Sequence, residues 1–380
     1  MEIEKLSKDI NAKSYLKNLG VDGGGIDILA SKIEHHIIRI RDLPVGGANI
    51  LKQDALSVGA DLAVPRGTVT AAIPLVDCIL IATTKQLKLR SKKELSQPFG
   101  LNLVAKKLTE ILKVKKPKSV DIMGVINANN DSFFSGSRFV NSDAISAIEN
   151  MIEDGADIID IGGVSSAPNS KPVDADEELQ RVKPILDAIK EQNLYEKMNF
   201  SIDSYEPKVI KYALDSGFKI VNDITGLSSD EVCRLCATYE ARVVIMHMQG
   251  RPLTMQKSPS YDNILNTIYQ FFETKIEKAE KYGIKDIILD VGIGFGKTLE
   301  HNLQLIKHLE HFSTLEKPLL VGASRKSMID NISSSLPNDR LPGTLVLHLE
   351  AMKNGASILR VHDVAQHVQA IKVQNELLST

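Results

Sequence analysis

The sequence predicts an α/β protein: a (β/α)8 barrel of the TIM type preceded by a small α/β domain. Two observations place the barrel. From about Ser119 onward, short apolar runs rich in β-branched residues alternate with amphipathic helix patterns, the signature of parallel strands covered by helices. Such units recur eight times in roughly 260 residues, which suits a closed barrel better than an open doubly wound sheet. A third observation sets the rest apart, because the first 116 or so residues follow a different rhythm.

In chain order, the first apolar runs are "HHIIRI", "ADLAVP" and "DCILIAT", alternating with the helix patterns "GANILKQDALSVG" and "LNLVAKKLTEIL". They predict a separate α/β unit over residues 1–116. No catalytic constellation is visible in it, so a packing role without direct chemistry is expected. His35 and His36 lack companions at metal-ligand spacing and read as structural. "KVKKPKS" then reads as a solvated linker.

The barrel is expected over 117–380. Its strands are the runs "SVDIMGVIN", "ADIIDIGG", "NFSIDS", "FKIVNDI", "RVVIMHM", "DIILDVG", "PLLVGAS" and "ASILRVHD". Between them lie helix patterns such as "SDAISAIENMIEDG", "DADEELQRVKPILDAIK", "EPKVIKYALDSG" and "GTLVLHLEAMKNG", several opened by a Ser or Asp cap and closed by Gly. Each strand ends in a polar group: Asn127, Ser165 with Ser166, Asp203, Asn222, His247, Asp290, Arg325 with Lys326, and His362 with Asp363. In a barrel these ends share one rim, where active sites lie.

Composition narrows the function. With 43% hydrophobic and 25% charged residues the profile is that of an ordinary soluble chain. Lys and Arg total 46 against 48 Asp and Glu, so no global field recruits nucleic acid or anionic lipid and any anion site is local. The start "MEIEKLSKDINAK" lacks the apolar core of a secretory signal, and no later stretch approaches a membrane span. A cytoplasmic protein is expected. Three cysteines cannot build a disulfide framework. Cys233 and Cys236 form a lone C-x-x-C in "SSDEVCRLCATYE", a helix behind a Ser/Asp cap with no second pair to complete a zinc site, so two packed thiols are expected.

"LDVGIGFGKT" suggests a nucleotide loop but fits neither pattern. A P-loop needs glycine where Val291 stands, and the dinucleotide fingerprint needs it where Lys297 stands. Its glycines are expected to let backbone approach a flat ligand beside Asp290, with Phe295 as an apolar wall. Asp203, Asn222 and Asp290 offer acceptors and donors for a planar heterocycle with an amino-pyrimidinone edge, and Lys326 can donate to its ring acceptors. Paired carboxylates also serve acid–base work or metal binding, and spacing alone leaves these open.

In order and spacing, "MGVINANNDSFFSG", "GADIIDIGGVSSAPNS", "SIDS", "VNDITG", "IMHMQGRPLTMQ", "DVGIGFGKT", "GASRKS" and "RVHDV" resemble the motifs of the dihydropteroate synthase family, from about Ser119 to His367. The resemblance implies condensation of a dihydropterin pyrophosphate with p-aminobenzoate at the barrel mouth, in folate biosynthesis, by a sulfonamide-sensitive enzyme. It implies that Asp203, Asn222, Asp290 and Lys326 contact the pterin, with Met246 and Phe295 lining the pocket. Ser327 would meet the benzoate carboxylate, Arg360 and His362 the pyrophosphate, and Asn127 a Mg2+ ion. Asp131 and Ser166 lie in the first two barrel loops, which close over the second substrate, and a homodimer is implied.

Two loops depart from the family's pattern. "NANND" stands where Asn-Val-Thr-Pro-Asp is usual, and "GGVSSAPNS" where Gly-Gly-Glu-Ser-Thr-Arg-Pro-Gly is usual, so Ala167 replaces an arginine. Two alternatives accompany the synthase reading: a folate-dependent methyltransferase domain, which shares the barrel and its pterin-contacting carboxylates, and, motivated by Ala167, a pterin-binding module without catalysis.

Overall fold

The computed structural model describes residues 1–380 except 8–9, 94–96, 115, 129–141, 166–169, 171–172 and 380. The chain divides into two compact units, Met1–Lys115 with Asn375–Thr380, and Lys116–Gln374.

In the first unit, helices α1 (Ala12–Asn18) and α2 (Gly23–Ile33) precede strand β1 (His35–Pro44). Helix α3 (Val45–Ser57), strands β2 (Asp61–Ala63) and β3 (Leu75–Thr83), and helices α4 (Thr84–Lys93) and α5 (Leu101–Lys113) follow. The three strands form an antiparallel sheet in the order β1-β3-β2. Alternation places Val76, Cys78, Leu80 and Ala82 of β3 on one face, where they pack with Leu51 of α3 and Leu101 and Leu108 of α5. A small α/β unit is expected ahead of the barrel; the grouping of Asn375–Thr380 with it is not.

The second unit is a closed parallel barrel. Its strands are β4 (Asp121–Asn127), β5 (Ile158–Gly162), β6 (Asn199–Asp203), β7 (Ile220–Asp223), β8 (Arg242–Met246), β9 (Ile287–Asp290), β10 (Leu319–Val321) and β11 (Ile358–Val361). They pair in sequence and β11 closes on β4. Every predicted strand is present within its run. The helices are α6 (Ser142–Glu153), α7 (Ala175–Glu191), α8 (Pro207–Asp215), α9 (Asp230–Thr238), α10 (Ile264–Lys281), α11 (Leu299–Lys307), α12 (Ser327–Ile332), α13 (Leu341–Lys353) and α14 (Val364–Ser379).

Period-two alternation sorts each strand between lumen and helices. Met123, Ile158, Ile220, Val244, Ile288, Leu320 and Ile358 form a lumen cluster of their own. Their neighbours Ile122, Ile159, Val221, Val243, Leu289, Val321 and Leu359 join the larger core under the helices. Each such side chain contributes about 1.5–3 kcal/mol when fully buried. Two residues further along, the same alternation brings Asp160, Asn222, Met246, Asp290 and Arg360 to the next lumen layer, together with Asp203 after Ser201. Below, the barrel is apolar; at the mouth it is polar.

Capping fixes the helix entries as expected. Asp174 accepts from the amides of Asp176 and Glu177 at α7, and Ser229 from Val232 at α9. Cys233 and Cys236 on α9 are free and buried, and burial pushes Cys236 up to about 12. They are inert packed thiols. Among the described residues, no helix is long and apolar enough to cross a membrane.

Candidate active site

At the barrel mouth, Asp160 and Arg360 organise the polar layer. The Asp160 side chain is fully buried, and its Oδ2 accepts from Asn222 Nδ2 at 3.1 Å and from Arg360 Nε at 2.7 Å. Arg360 Nη2 donates to Asp203 Oδ2 at 2.7 Å. One guanidinium thus bridges two carboxylates, as its fork geometry allows. Burial pushes the Asp203 carboxyl up to about 7 against the pull of Arg360, with Asp160 adding to the rise. The strand register places Asn127, Gly162, Asp203 and Asn222 in one row across β4 to β7.

Across the mouth, Asp290 Oδ1 accepts from the Gly292 amide at 2.8 Å. Burial raises this carboxyl, opposed by that amide and by Lys326. Lys326 Nζ donates to the Ile293 carbonyl and lies 4.5 Å over the centroid of the Phe295 ring, a cation–π contact. Burial brings its amine down to about 8 despite Asp290. Met246 pairs with Asp290 in the ladder and is buried.

The glycines of "GIGFG" serve their protein neighbours. Gly292 has φ +67, and a Cβ there would stand 2.0 Å from the His247 carbonyl oxygen; at Gly296, φ +62, it would stand 2.3 Å from that of Gln249. The expected approach to a flat ligand is therefore not what requires these two. Lys297 lies beneath the loop, 3% exposed, donating to the carbonyls of His247 and Phe295 at 3.1 and 2.9 Å and meeting His247 Nδ1 at 3.1 Å. Burial lowers it to about 7. His247 is packed edge-on against Phe271, and burial followed by Lys297 lowers it to about 3.

At the third side, Ser324 Oγ lies 2.8 Å from His362 Nδ1. Burial, then Arg360, holds His362 down to about 3, so the imidazole is neutral. Ser327 opens α12 and is exposed.

The structure thus brings together Asp203, Asn222 and Arg360, and separately Asp290, Lys326 and Phe295. His247 is directed into packing, and Arg325 and Asp363 bind each other. Asp131, Ser166 and Ala167 lie outside the described residues. Sequence reasoning missed Asp160 and Lys297. For Asp160 a signal existed: an acid at a lumen position inside the apolar run "ADIIDIGG". It also missed Glu178 of α7, which is 2% exposed and looks in sequence like one more first-turn acid.

Comparison with known proteins agrees with this geometry. Residues 123–362 match the pterin binding enzyme family. The chain is 43% identical over 380 residues, all of both chains, to the bifunctional dihydropteroate synthase/dihydropteroate reductase of Helicobacter pylori. It is 40% identical over 262 residues to the dihydropteroate synthase of Escherichia coli, covering 68% of this chain and 92% of that one. Among solved structures, the Yersinia pestis dihydropteroate synthase in a sulfonamide drug complex superposes with TM-score 0.66 at 36% identity, over 70% of this chain and 96% of that one. The Xanthomonas albilineans enzyme with 4-aminobenzoic acid gives 0.63 at 33% identity, over 69% and 94%. With its barrel, its polar mouth and these relatives, the chain belongs to the dihydropteroate synthases of the pterin binding enzyme family.

Proposed function

We propose that the barrel condenses 6-hydroxymethyl-7,8-dihydropterin pyrophosphate with p-aminobenzoate, giving 7,8-dihydropteroate and pyrophosphate. The observation that carries this is the polar lumen layer. It sets two acids and an amide around Arg360, with Asp290 and Lys326 across the mouth. Asp203 and Asp290 accept from the amino-pyrimidinone edge of the pterin, Asn222 supplies an amide, and Lys326 donates to a ring acceptor. Met246 and Phe295 form the walls. Ser327, with Ser166 from the second loop, receives the benzoate carboxylate.

The chemistry is substitution at the pterin methylene carbon. Its bond to oxygen breaks with the electron pair leaving on pyrophosphate, and the arylamine nitrogen forms the new bond and releases a proton to solvent. No protein nucleophile is required. Arg360 and the neutral His362 stabilise charge on the departing group; Asp131, expected to act with them, lies outside the described residues.

Asn127 ends β4 with a hard oxygen donor, and Mg2+ favours one or two protein oxygens completed by water and substrate phosphate. Such an oxygen would take a single position on the ion, the others falling to water and substrate phosphate. Bound there, Mg2+ would neutralise charge on the leaving pyrophosphate.

Ile332, Leu336 and Val346, on or beside α12 and α13, are 58%, 71% and 68% exposed. The expected homodimer would cover exposed apolar side chains of this kind. A cytoplasmic location belongs to this reading. A sulfonamide competes with p-aminobenzoate by occupying the same subsite. Methyl transfer and pterin binding without catalysis give way to this reading on the breadth of the synthase matches.

One observation favours a second activity over the purely structural role expected for the first unit. The bifunctional relative matches the whole chain, whereas the Escherichia coli synthase matches 68% of it. We infer that the protein also reduces dihydropteroate, with the first unit required. The test supplies dihydropteroate and a reduced nicotinamide to the full chain and follows tetrahydropteroate. No product would return the first unit to packing.

A further inference from the structure

Arg325 sits in the middle of the polar cluster "GASRKS" yet faces neither solvent nor ligand. Its side chain is 7% exposed. Nε and Nη2 donate to Oδ2 and Oδ1 of Asp363 at 2.8 and 2.6 Å, and Nη1 donates to the carbonyls of Pro337 and Asn338 at 2.9 and 2.7 Å. Its amide donates to Thr344 Oγ1 at 2.9 Å, and its carbonyl accepts from Arg340 Nη1 at 3.1 Å. The backbone has φ +54, a left-handed conformation that a residue with a side chain holds only when its surroundings over-determine it. Here they do.

We propose that Arg325 and Asp363 are a positioning pair that locks the loop after β10 to the loop after β11. Two consecutive rungs link these loops, Ser324 with His362 and Arg325 with Asp363. The left-handed turn at Arg325 sends its side chain to the Asp363 side while Lys326, the next residue, reaches Ile293 and Phe295. A slip in this latch displaces Lys326, Ser327 and His362 together. The proposal rests on the synthase reading for what those three residues bind. Lysine cannot replace Arg325, because a single ammonium cannot hold a bidentate carboxylate and two carbonyls on another segment. Neither can either partner be removed alone without leaving a buried charge uncompensated.

The experiment measures steady-state kinetics and p-aminobenzoate titration for the full chain, Arg325→Lys, Asp363→Asn and the double variant, with melting temperatures alongside. Each single change is expected to raise KM for p-aminobenzoate at least ten-fold and to lower kcat. Affinity for pterin lacking pyrophosphate is expected to fall too, because Lys326 moves with the latch, but by no more than Lys326→Ala costs, since Asp203, Asn222 and Asp290 hold the pterin from β6, β7 and β9. The double variant should lose no more than the worse single one, because the two residues act as a unit. Parental KM in Arg325→Lys, or additive losses, overturns the proposal; so does a lower melting temperature with parental KM, which is a structural role only. Should Arg325→Lys fail to fold, the near-isosteric Asp363→Asn decides by the same criteria. Absence of turnover in the parent protein refutes the synthase reading instead, and the titration still judges the pair.

Discussion

Lys326 meets two opposed demands: it must leave water to reach a planar ligand, and it must stay charged to hold one. Burial brings its amine to about 8, while Asp203 is pushed up to about 7. Pterin affinity is therefore expected to peak between these values. Below about 7, Asp203 gains a proton and loses an acceptor; above about 8, Lys326 loses its charge. Titrating a pterin ligand from pH 6 to 9 checks this, and Lys326→Ala should abolish the alkaline limb while costing at least ~1.5 kcal/mol of affinity. Asn127→Ala should instead reduce turnover and its response to Mg2+ while sparing pterin binding, which activity across a Mg2+ series reads directly. At this scale Asp203, Asn222, Asp290 and Lys326 were legible because each follows an apolar run. Lys297 was not, since its partners are the backbone carbonyls of His247 and Phe295, which no side-chain pattern reveals. Asp160 was overlooked because it lies inside a strand and not at its end.

Among the elements, the eight strands could be read because both faces of each are buried, leaving continuous apolar runs. Helices α1, α2 and α4 could not. The sequence of α4, "TKQLKLRSKK", has two leucines among five basic residues, too few to define a face. Helix α7 was legible, but its Glu178 hides a cost. Its side chain packs against Gly163, where a Cβ would stand 3.0 Å from Glu178 Cγ, and among the described residues its Oε1 has no hydrogen-bond partner. Burial pushes it from 4.5 up to about 7, opposed by a bond from Ser204. Because the folded value lies above the unfolded one, its contribution to stability is full at low pH and is lost as pH rises through about 7. Glu178→Gln should therefore melt above the parent at pH 8, by an amount on the order of 3 kcal/mol, with the gap closing near pH 4, below the unfolded value of 4.5. Thermal melts at the two pH values check it; equal gaps at both would place the carboxyl in solvent.

For the whole molecule, the barrel and its mouth follow from one rule, period-two alternation carried through eight strands, and that rule is visible in sequence. The first unit is different. Its sheet and core could be anticipated from "HHIIRI" and "DCILIAT", but among the described residues no cluster of reactive side chains marks what it does. Condensation in the barrel is open to direct measurement. Full-length protein is mixed with 6-hydroxymethyl-7,8-dihydropterin pyrophosphate, p-aminobenzoate and Mg2+, and both products are quantified. The expected result is 7,8-dihydropteroate and pyrophosphate in equal amounts, with formation inhibited by a sulfonamide in competition with p-aminobenzoate. Tight pterin binding with neither product formed would contradict it.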